Sequence, residues 1–171
     1  IGLEIYRSLN QSTHFTLYGG SSVDDHGKYI YENYIDAVPL VDDSNFTSVL
    51  NKIIKKYNIE YIFPAHDSVV LKLAEEFNNG NLGCKVITSK LSTCIIARSK
   101  LLTYKELSSK ISVPKIFNEI SEIKTDDLPI FLKPDVGQGS KGTYLAKDIQ
   151  EVKFYLRKDP TLLLLEYLPG D

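Results

Sequence analysis

One glycine-rich segment between two apolar stretches limits the fold of this chain more than any other feature. The apolar stretch 129–133 leads into Gly137, Gly139 and Gly142, and the apolar stretch 143–146 follows directly. Short apolar runs are typical of buried strands, and the glycines between them supply the backbone freedom that a tight turn needs. We therefore expect an antiparallel hairpin in the second half of the chain.

The context of this hairpin excludes three familiar phosphate loops. A dinucleotide-binding loop requires a helix directly after its glycines, whereas residues 143–146 read as a strand. A Walker A loop requires a lysine after its last glycine, where this chain has Thr143. A protein kinase has its lysine on the strand after the loop, whereas Lys133 precedes the loop. Lys133 and the glycine amides still fit a phosphate site, and the alternative is a simple surface turn.

The first half of the chain shows a different pattern, in which short strands alternate with helices. Apolar residues recur at helical spacing over 46–57 and over 69–77, and an Asn-Asn-Gly run at 78–80 stops the second helix. The expected strands are short apolar runs, at 13–18, 61–63 and 85–87, and the first is expected to lead into a loop at 19–22 that begins with Gly19 and Gly20. This alternation predicts an α/β fold with a parallel, doubly wound sheet and helices on both of its faces. Because the chain opens on a helix-like stretch after Ile1 and has no methionine, we expect an upstream strand and the native N-terminus to be missing.

The second half is organised around the hairpin. Residues 91–110 read as one or two helices, which end before the next proline. A helix capped by Asp148 follows the hairpin, and the leucine-rich strand 162–166 is stopped by Pro169-Gly170. The change in pattern indicates a domain boundary within 88–113. The predicted domains are 1–90 and 91–171.

Two further segments of the second half have residues that suit a ligand. Lys100 stands at the start of a predicted helix, where the helix dipole disfavours positive charge, so either it points at an anion or it is an ordinary exposed lysine. The strand containing Leu165 ends in Glu166, Tyr167 and Leu168. A strand that stops at a turn can present backbone groups and apolar side chains to an adenine ring, and the alternative is a plain core strand.

In the first half, His66 and Asp67 follow a predicted strand. Ligands of parallel sheets bind outside the carboxyl ends of the strands, so these two residues are candidates for substrate contact. The simpler reading of Asp67 is an N-cap of the next helix.

The order of these segments resembles the ATP-grasp superfamily. A lysine at a helix start is followed by a strand with Lys-Pro, by a Gly-x-Gly-Ser-Lys-Gly loop, and then by an apolar strand with Glu-Tyr-Leu-Pro-Gly. The residues of these motifs are most similar to those of the branch that resembles the carbamoyl-phosphate synthase large subunit. The resemblance covers the whole chain, and the first half is similar to the Rossmann-like domain that precedes ATP-grasp modules.

The resemblance implies a role for each segment. Lys100 and Lys133 would contact the phosphates of ATP, and the glycine loop would form a mobile flap over them. The loop residues are Gly137, Gly139, Ser140, Lys141 and Gly142. The adenine pocket would be lined by Leu165, Glu166, Tyr167 and Leu168, with backbone groups near Glu166 and Leu168 reading the base.

The resemblance also implies an activity. Such an enzyme is an ATP-dependent ligase that converts a small-molecule carboxylate to an acyl-phosphate, which an amine, ammonia or a thiol then attacks. Its magnesium ligands would lie downstream of Asp171, with none in this chain, so we expect the fragment to be inactive. Two alternatives stay open: a non-catalytic nucleotide-binding or regulatory module, and an α/β interaction domain with no nucleotide site.

The composition and net charge of the chain limit the classes of partner that it is expected to bind. Net charge is −2, and 43% of residues are hydrophobic and 25% charged, which is typical of a globular protein and favours neither nucleic acid nor a membrane surface. The two cysteines fit no zinc or redox spacing, which favours the cytoplasm. We expect no nucleic-acid or membrane partner and leave a homodimer open.

Overall fold

The computed structural model describes residues 2–36, 38–137 and 139–169 of the chain. Its two compact units are Ile1–Ile95 and Ile96–Asp171, called unit 1 and unit 2 below. Within the described ranges, no helix is long and apolar enough to cross a membrane.

Unit 1 alternates helices with very short strands. Its elements are α1 (Gly2–Leu9), β1 (Tyr18–Gly20), β2 (Asn33–Ile35), α2 (Phe46–Tyr57), β3 (Tyr61–Ile62), α3 (Asp67–Asn78) and β4 (Lys85–Val86), with a 3-10 turn at His26–Tyr29. The helix α4 (Leu91–Arg98) spans the division between the units. β1 pairs with β2 and β3 with β4, and both pairs are parallel. The predicted parallel α/β fold is confirmed.

The core of unit 1 is built on one face of α2. Phe46, Leu50 and Ile54 are four residues apart, so they share a face of the helix. They pack with Leu73 of α3 and Val86 of β4, and all five side chains are buried.

The strand predicted at 13–18 is wrong in its position. β1 begins only at Tyr18 and includes Gly19 and Gly20, which the sequence suggested were a loop. A Cβ on Gly19 would lie 2.6 Å from Cγ of Tyr31, whose hydroxyl donates a hydrogen bond to the Gly2 carbonyl at 2.7 Å. The glycine is therefore needed where a tyrosine ring packs against the strand.

Unit 2 is a four-stranded antiparallel sheet with helices. Its elements are α5 (Lys100–Leu107), β5 (Ile116–Phe117), β6 (Ile130–Pro134), β7 (Tyr144–Ala146), α6 (Ile149–Lys158) and β8 (Leu162–Glu166), with 3-10 turns at Ile120–Glu122 and Thr125–Asp127. The strand order is β5-β8-β6-β7. β6 and β7 form the predicted antiparallel hairpin, in which Phe131 pairs with Leu145.

The two faces of this sheet differ in character. One face packs against α6 and forms a core of Phe117, Ile130, Leu132, Ala146, Val152, Leu162 and Leu164. Asp148 caps α6 as predicted, because its side chain accepts hydrogen bonds from the backbone N–H groups of Gln150 and Glu151. Strand side chains alternate, so Lys133 lies on the opposite face, with Phe131 and its cross-strand partner Leu165.

Several boundaries differ from those predicted. The helical stretch 91–110 is two helices, and α5 already ends at Leu107. The two-residue strand β5 and the three-residue strand β2 were not predicted, because so few residues show no alternation. Of the expected stop at Pro169-Gly170, Gly170 lies outside the described residues, as do Ile1, Gln138 of the glycine loop and Asp171.

Candidate functional site

The candidate site lies in unit 2 and starts from Lys133 on β6. The half-buried Lys133 Nζ donates a hydrogen bond to the hydroxyl of Tyr104 on α5 at 2.6 Å. The ammonium also lies 5.2 Å from the centre of the Tyr104 ring and 5.8 Å from that of Phe131. Hydrogen bonding and two aromatic faces hold this cation on the sheet surface opposite α6.

The second cation is at the start of α5. Ser99 is the N-cap: its backbone is extended, and its Oγ accepts from the Leu102 backbone N–H at 3.1 Å. The helix then begins at Lys100, whose Nζ donates to the backbone carbonyl of Asp135 at 2.9 Å. Ser99 is 8% exposed, and Lys100 is half-buried.

Asp135 follows β6 directly and binds the start of α5. Its Oδ1 accepts from the Leu101 backbone N–H at 2.7 Å, and the Ser99 hydroxyl lies 3.0 and 2.8 Å from its two carboxylate oxygens. The backbone N–H of Lys100 also donates to the Asp135 carbonyl at 3.3 Å. A negative charge is favourable at a helix N-terminus, so this carboxylate satisfies the first turn of α5.

The two lysines repel each other. Burial, and then the positive charge of Lys133, lowers the pKa of Lys100, and Asp135 opposes this shift. Among the described residues, each ammonium is hydrogen-bonded to a neutral oxygen, and neither lies within ion-pair distance of a carboxylate. The arrangement is a pair of fixed cations without a direct internal counterion, which suits an anionic ligand.

The glycine loop follows Asp135 in the chain. Gly139, Ser140 and Gly142 have φ of 61°, 55° and 72°, in the left-handed region. A Cβ on Gly139 would meet nothing within 4 Å, so the backbone angle alone favours glycine there. Lys141 is exposed, Gly137 is half-buried, and the Thr143 hydroxyl donates to the Ser140 carbonyl at 2.9 Å. Contact between this loop and phosphates stays a prediction.

The end of β8 offers fewer groups to a base than expected. Leu165 is only 1% exposed, so its side chain offers little surface to a ligand. The Glu166 backbone N–H donates to the Lys115 carbonyl at 2.9 Å, and the Glu166 carboxylate accepts from the Lys115 N–H at 3.1 Å. That N–H is therefore engaged, whereas Tyr167 and Leu168 are exposed. The adenine pocket stays a prediction for these residues.

His66 and Asp67 lie in unit 1, after β3, as the sequence suggested. The prediction that Asp67 is an N-cap is wrong, because the extended backbone residue before α3 is His66 and the helix begins at Asp67. Asp67 is instead an acidic residue in the first turn, where the helix dipole favours it. A role of either residue in substrate contact stays a prediction.

Three residues of the site were missed in the sequence: Ser99, Tyr104 and Asp135. Ser99 had a usable signal, since a serine before a helix start is a common N-cap. Asp135 and Tyr104 had no local signal in the sequence, because Asp135 bonds Leu101, which is 34 residues away, and Tyr104 bonds Lys133, which is 29 residues away. In the described part of the chain, no group of three or more His, Cys, Asp or Glu residues could hold a metal ion.

Unit 1 is a parallel α/β unit, and unit 2 is an antiparallel sheet with a lysine before a glycine loop. No family model matches the chain. Among curated proteins, the D-alanine–D-alanine ligase of Petrotoga mobilis is 30% identical over 95 residues, which cover 52% of this chain and 32% of that ligase. The chain thus spans about a third of this relative's length.

Two solved structures share the fold over nearly the whole chain. The N5-carboxyaminoimidazole synthetase of Staphylococcus aureus, complexed with ADP, has a TM-score of 0.72 at 15% identity, over 99% of this chain and 45% of that chain. The biotin carboxylase domain of the Hydrogenobacter thermophilus 2-oxoglutarate carboxylase, in complex with MgADP, ADP and bicarbonate, has a TM-score of 0.69 at 15% identity, over 98% and 42%. At such identities the likeness shows the fold alone. With the curated relative, it supports the ATP-grasp superfamily but does not single out a carbamoyl-phosphate synthase-like branch.

Proposed function

We propose that the protein is an ATP-dependent ligase of the ATP-grasp type, in which unit 2 binds the phosphates of ATP. The observation that carries this proposal is the pair formed by Lys100 and Lys133, two repelling cations that are each held by a neutral oxygen. Fixed cations of this kind have an unfavourable energy until an anion binds, and a polyphosphate supplies several negative charges.

The proposed reaction is the transfer of the terminal phosphoryl group of ATP to a small-molecule carboxylate. An amine, ammonia or a thiol then displaces phosphate from the acyl-phosphate. Phosphoryl transfer depends mainly on positioning and charge neutralisation, which the two lysines and the loop amides would provide. Among the described residues, the positive charges assigned to this site are those of Lys100 and Lys133. A D-alanine–D-alanine ligase as the curated relative supports the ligase class.

The domain organisation belongs to the same proposal. A Rossmann-like domain at 1–90 would precede an ATP-grasp portion that begins near residue 91, with His66 and Asp67 directed at the carboxylate substrate. We further propose that magnesium neutralises phosphate charge in the active enzyme together with the two lysines.

The binding test compares two lysines of unit 2. The affinity for ADP and for a non-hydrolysable ATP analogue is measured by calorimetry for the wild type, Lys133→Ala and Lys153→Ala. Lys153 is exposed on α6 and is the matched control. Losing one charge-assisted hydrogen bond of roughly 1.5–3 kcal/mol should weaken binding about 10- to 150-fold for Lys133→Ala and leave Lys153→Ala unchanged. Equal affinity of the two variants would refute the assignment.

Ligase activity needs its own measurement. Phosphate release is followed in the full-length protein with ATP, magnesium and a panel of carboxylates and amines. Release that depends on both a carboxylate and an amine supports the ligase. Tight binding without release under any pair would support a nucleotide-binding regulatory module instead.

A further inference from the structure

We propose that Asp135 is a positioning residue that sets the separation of Lys100 and Lys133 by tying the base of the glycine loop to the first turn of α5. This inference rests on the proposed function, because it assigns the residue that prepares the phosphate site. Asp135 itself would not touch the nucleotide.

The hydrogen bonds of Asp135 join the two elements that carry the lysines. On one side, Asp135 follows β6, and Lys133 lies two residues earlier in the chain. On the other side, its carboxylate accepts from the Leu101 N–H at 2.7 Å and from the Ser99 hydroxyl at 2.8 Å. Its backbone carbonyl accepts from Lys100 Nζ at 2.9 Å. One residue thus fixes both the helix that carries Lys100 and the acceptor that orients its ammonium.

The charge of Asp135 needs this explanation. A carboxylate close to an anion site is unfavourable through Coulomb repulsion. Here its oxygens meet backbone and hydroxyl donors at the positive end of a helix, and the partner Ser99 is buried. The negative charge is therefore partly compensated by the first turn of α5, and neither lysine ammonium donates a hydrogen bond to this carboxylate.

The first test separates the tether from the charge. Binding of ADP and of AMP is measured for the wild type, Asp135→Ala and Asp135→Asn, with Asp159→Ala as the matched control. Asp159 also accepts from a backbone N–H and a hydroxyl, both of Thr161 in unit 2. AMP lacks the outer phosphate of ADP, which is the group that the two lysines would bind on this proposal. We therefore expect Asp135→Ala to weaken ADP binding about tenfold more than AMP binding.

The amide of Asp135→Asn keeps an acceptor oxygen for Leu101 and Ser99, so this variant should retain most of the ADP affinity. The control should match the wild type for both ligands. If Asp135→Ala binds ADP as tightly as the wild type or more tightly, the carboxylate only repels the ligand and the inference fails. An equal loss of ADP and AMP affinity points to general damage and also overturns it.

The second test needs no nucleotide. The pKa of Lys100 is measured by NMR on protein with 13C-methylated lysines, in a double-mutant cycle of Lys133→Gln and Asp135→Ala. Removing the Lys133 charge should raise the pKa of Lys100, and the rise should be smaller when the tether is absent because the two ammonium groups then separate. The same rise in both backgrounds would overturn the inference.

The two tests also keep this inference apart from the proposed function. If the wild type binds no nucleotide, the proposed function fails, and the cycle alone decides whether Asp135 positions Lys100. If Asp135→Ala does not fold, Ser99→Ala takes its place in both experiments, because it removes one hydrogen bond of the tether and keeps the charge. The expected directions are the same.

Discussion

Lys72 in unit 1 and Lys100 in unit 2 are both half-buried lysines on helices, yet their surroundings act on them in opposite directions. Lys72 lies 2.7 Å from the Glu76 carboxylate one turn later, and this partner raises the pKa of Lys72. Burial and the Lys133 ammonium lower the pKa of Lys100. Unit 1 neutralises its cation within one helix, whereas the cation of unit 2 is hydrogen-bonded to a backbone carbonyl and repelled by a second ammonium. On the proposed function a phosphate of the ligand neutralises this second cation, so the partners of a lysine would indicate its role better than its exposure does.

The largest expected effect comes from removing each lysine. Lys100→Met should weaken ADP binding about 10- to 150-fold, by loss of a charge-assisted contact, and Lys72→Met should not change it. The free energy of unfolding of Lys100→Met, by contrast, should be higher than that of the wild type. Because the folded-state pKa of Lys100 is lowered, its ammonium destabilises the fold at neutral pH, and that cost is relieved as the pH rises through the folded-state pKa. Calorimetry and urea unfolding at neutral pH check both statements, and a Lys100→Met protein that loses stability without losing affinity contradicts the comparison.

Glycines of the two units should respond differently to the same substitutions. Gly19→Ala in unit 1 brings a Cβ to 2.6 Å from the Tyr31 ring, and such overpacking costs about 1–3 kcal/mol. Gly139→Ala in unit 2 meets no atom but keeps a φ of 61°, which costs about 1–2 kcal/mol. Asparagine tolerates that backbone region, so Gly139→Asn should recover stability and Gly19→Asn should not. Urea unfolding gives the free energies of unfolding of the four variants. If Gly19→Asn were as stable as the wild type, the Tyr31 ring would have to move away from the strand freely, which would contradict this prediction.

Helix caps give a smaller contrast. Asp148 accepts two backbone hydrogen bonds at the start of α6, whereas Asn45 at the start of α2 makes no side-chain cap. Asp148→Ala should therefore cost about 1 kcal/mol, and Asn45→Ala close to nothing. Thermal unfolding of both variants beside the wild type is the measurement. Equal losses would mean that Asn45 caps α2 in solution.

The smallest effect belongs to the ion pair of unit 1. The Lys72 ammonium, together with Asn81, lowers the pKa of Glu76. The Glu76 carboxylate therefore stabilises the fold above the usual carboxyl pKa, and this contribution is lost as the pH falls through the folded-state pKa. Glu76→Gln should cost at most about 1 kcal/mol at neutral pH, since solvent weakens such a pair. The difference from the wild type should vanish in acid. Urea midpoints across the acidic range test this, and a difference that persists there would exclude the ion pair as its cause.

The sequence predicted the elements whose residues interact locally. The spacing of Phe46, Leu50 and Ile54 predicted α2, and the glycine loop predicted the β6–β7 hairpin, because helical periodicity and turn chemistry act over a few residues. β5 was missed, since Ile116 and Phe117 form a strand only through pairing with β8, far along the chain. Gly19 was read as part of a loop because nothing nearby in the sequence announces the ring of Tyr31.

The candidate site shows the same limit. Lys100 and Lys133 were singled out by their positions beside a helix start and a glycine loop, and in the structure the Lys133 charge lowers the pKa of Lys100, whereas their contact with phosphates stays a prediction. The residue that joins their elements, Asp135, was not predicted, because its role depends on meeting Ser99 across the unit. Residue types with a recognisable local context can be found in a sequence, whereas the contacts that orient them require the tertiary fold.

The strand order of unit 2 has a consequence for the time course of synthesis. β8 lies between β5 and β6 in the sheet, and of the described strands β5 pairs with β8 alone, yet β8 is the last of the four along the chain. A growing chain leaves the ribosome from its N-terminus. The β6–β7 hairpin can close as soon as it emerges, but β5 has no neighbour until the leucines of β8 have been translated. Completion of this unit is thus timed by elongation, and a pause just before β8 would prolong the exposure of its apolar surface to other nascent chains and to chaperones.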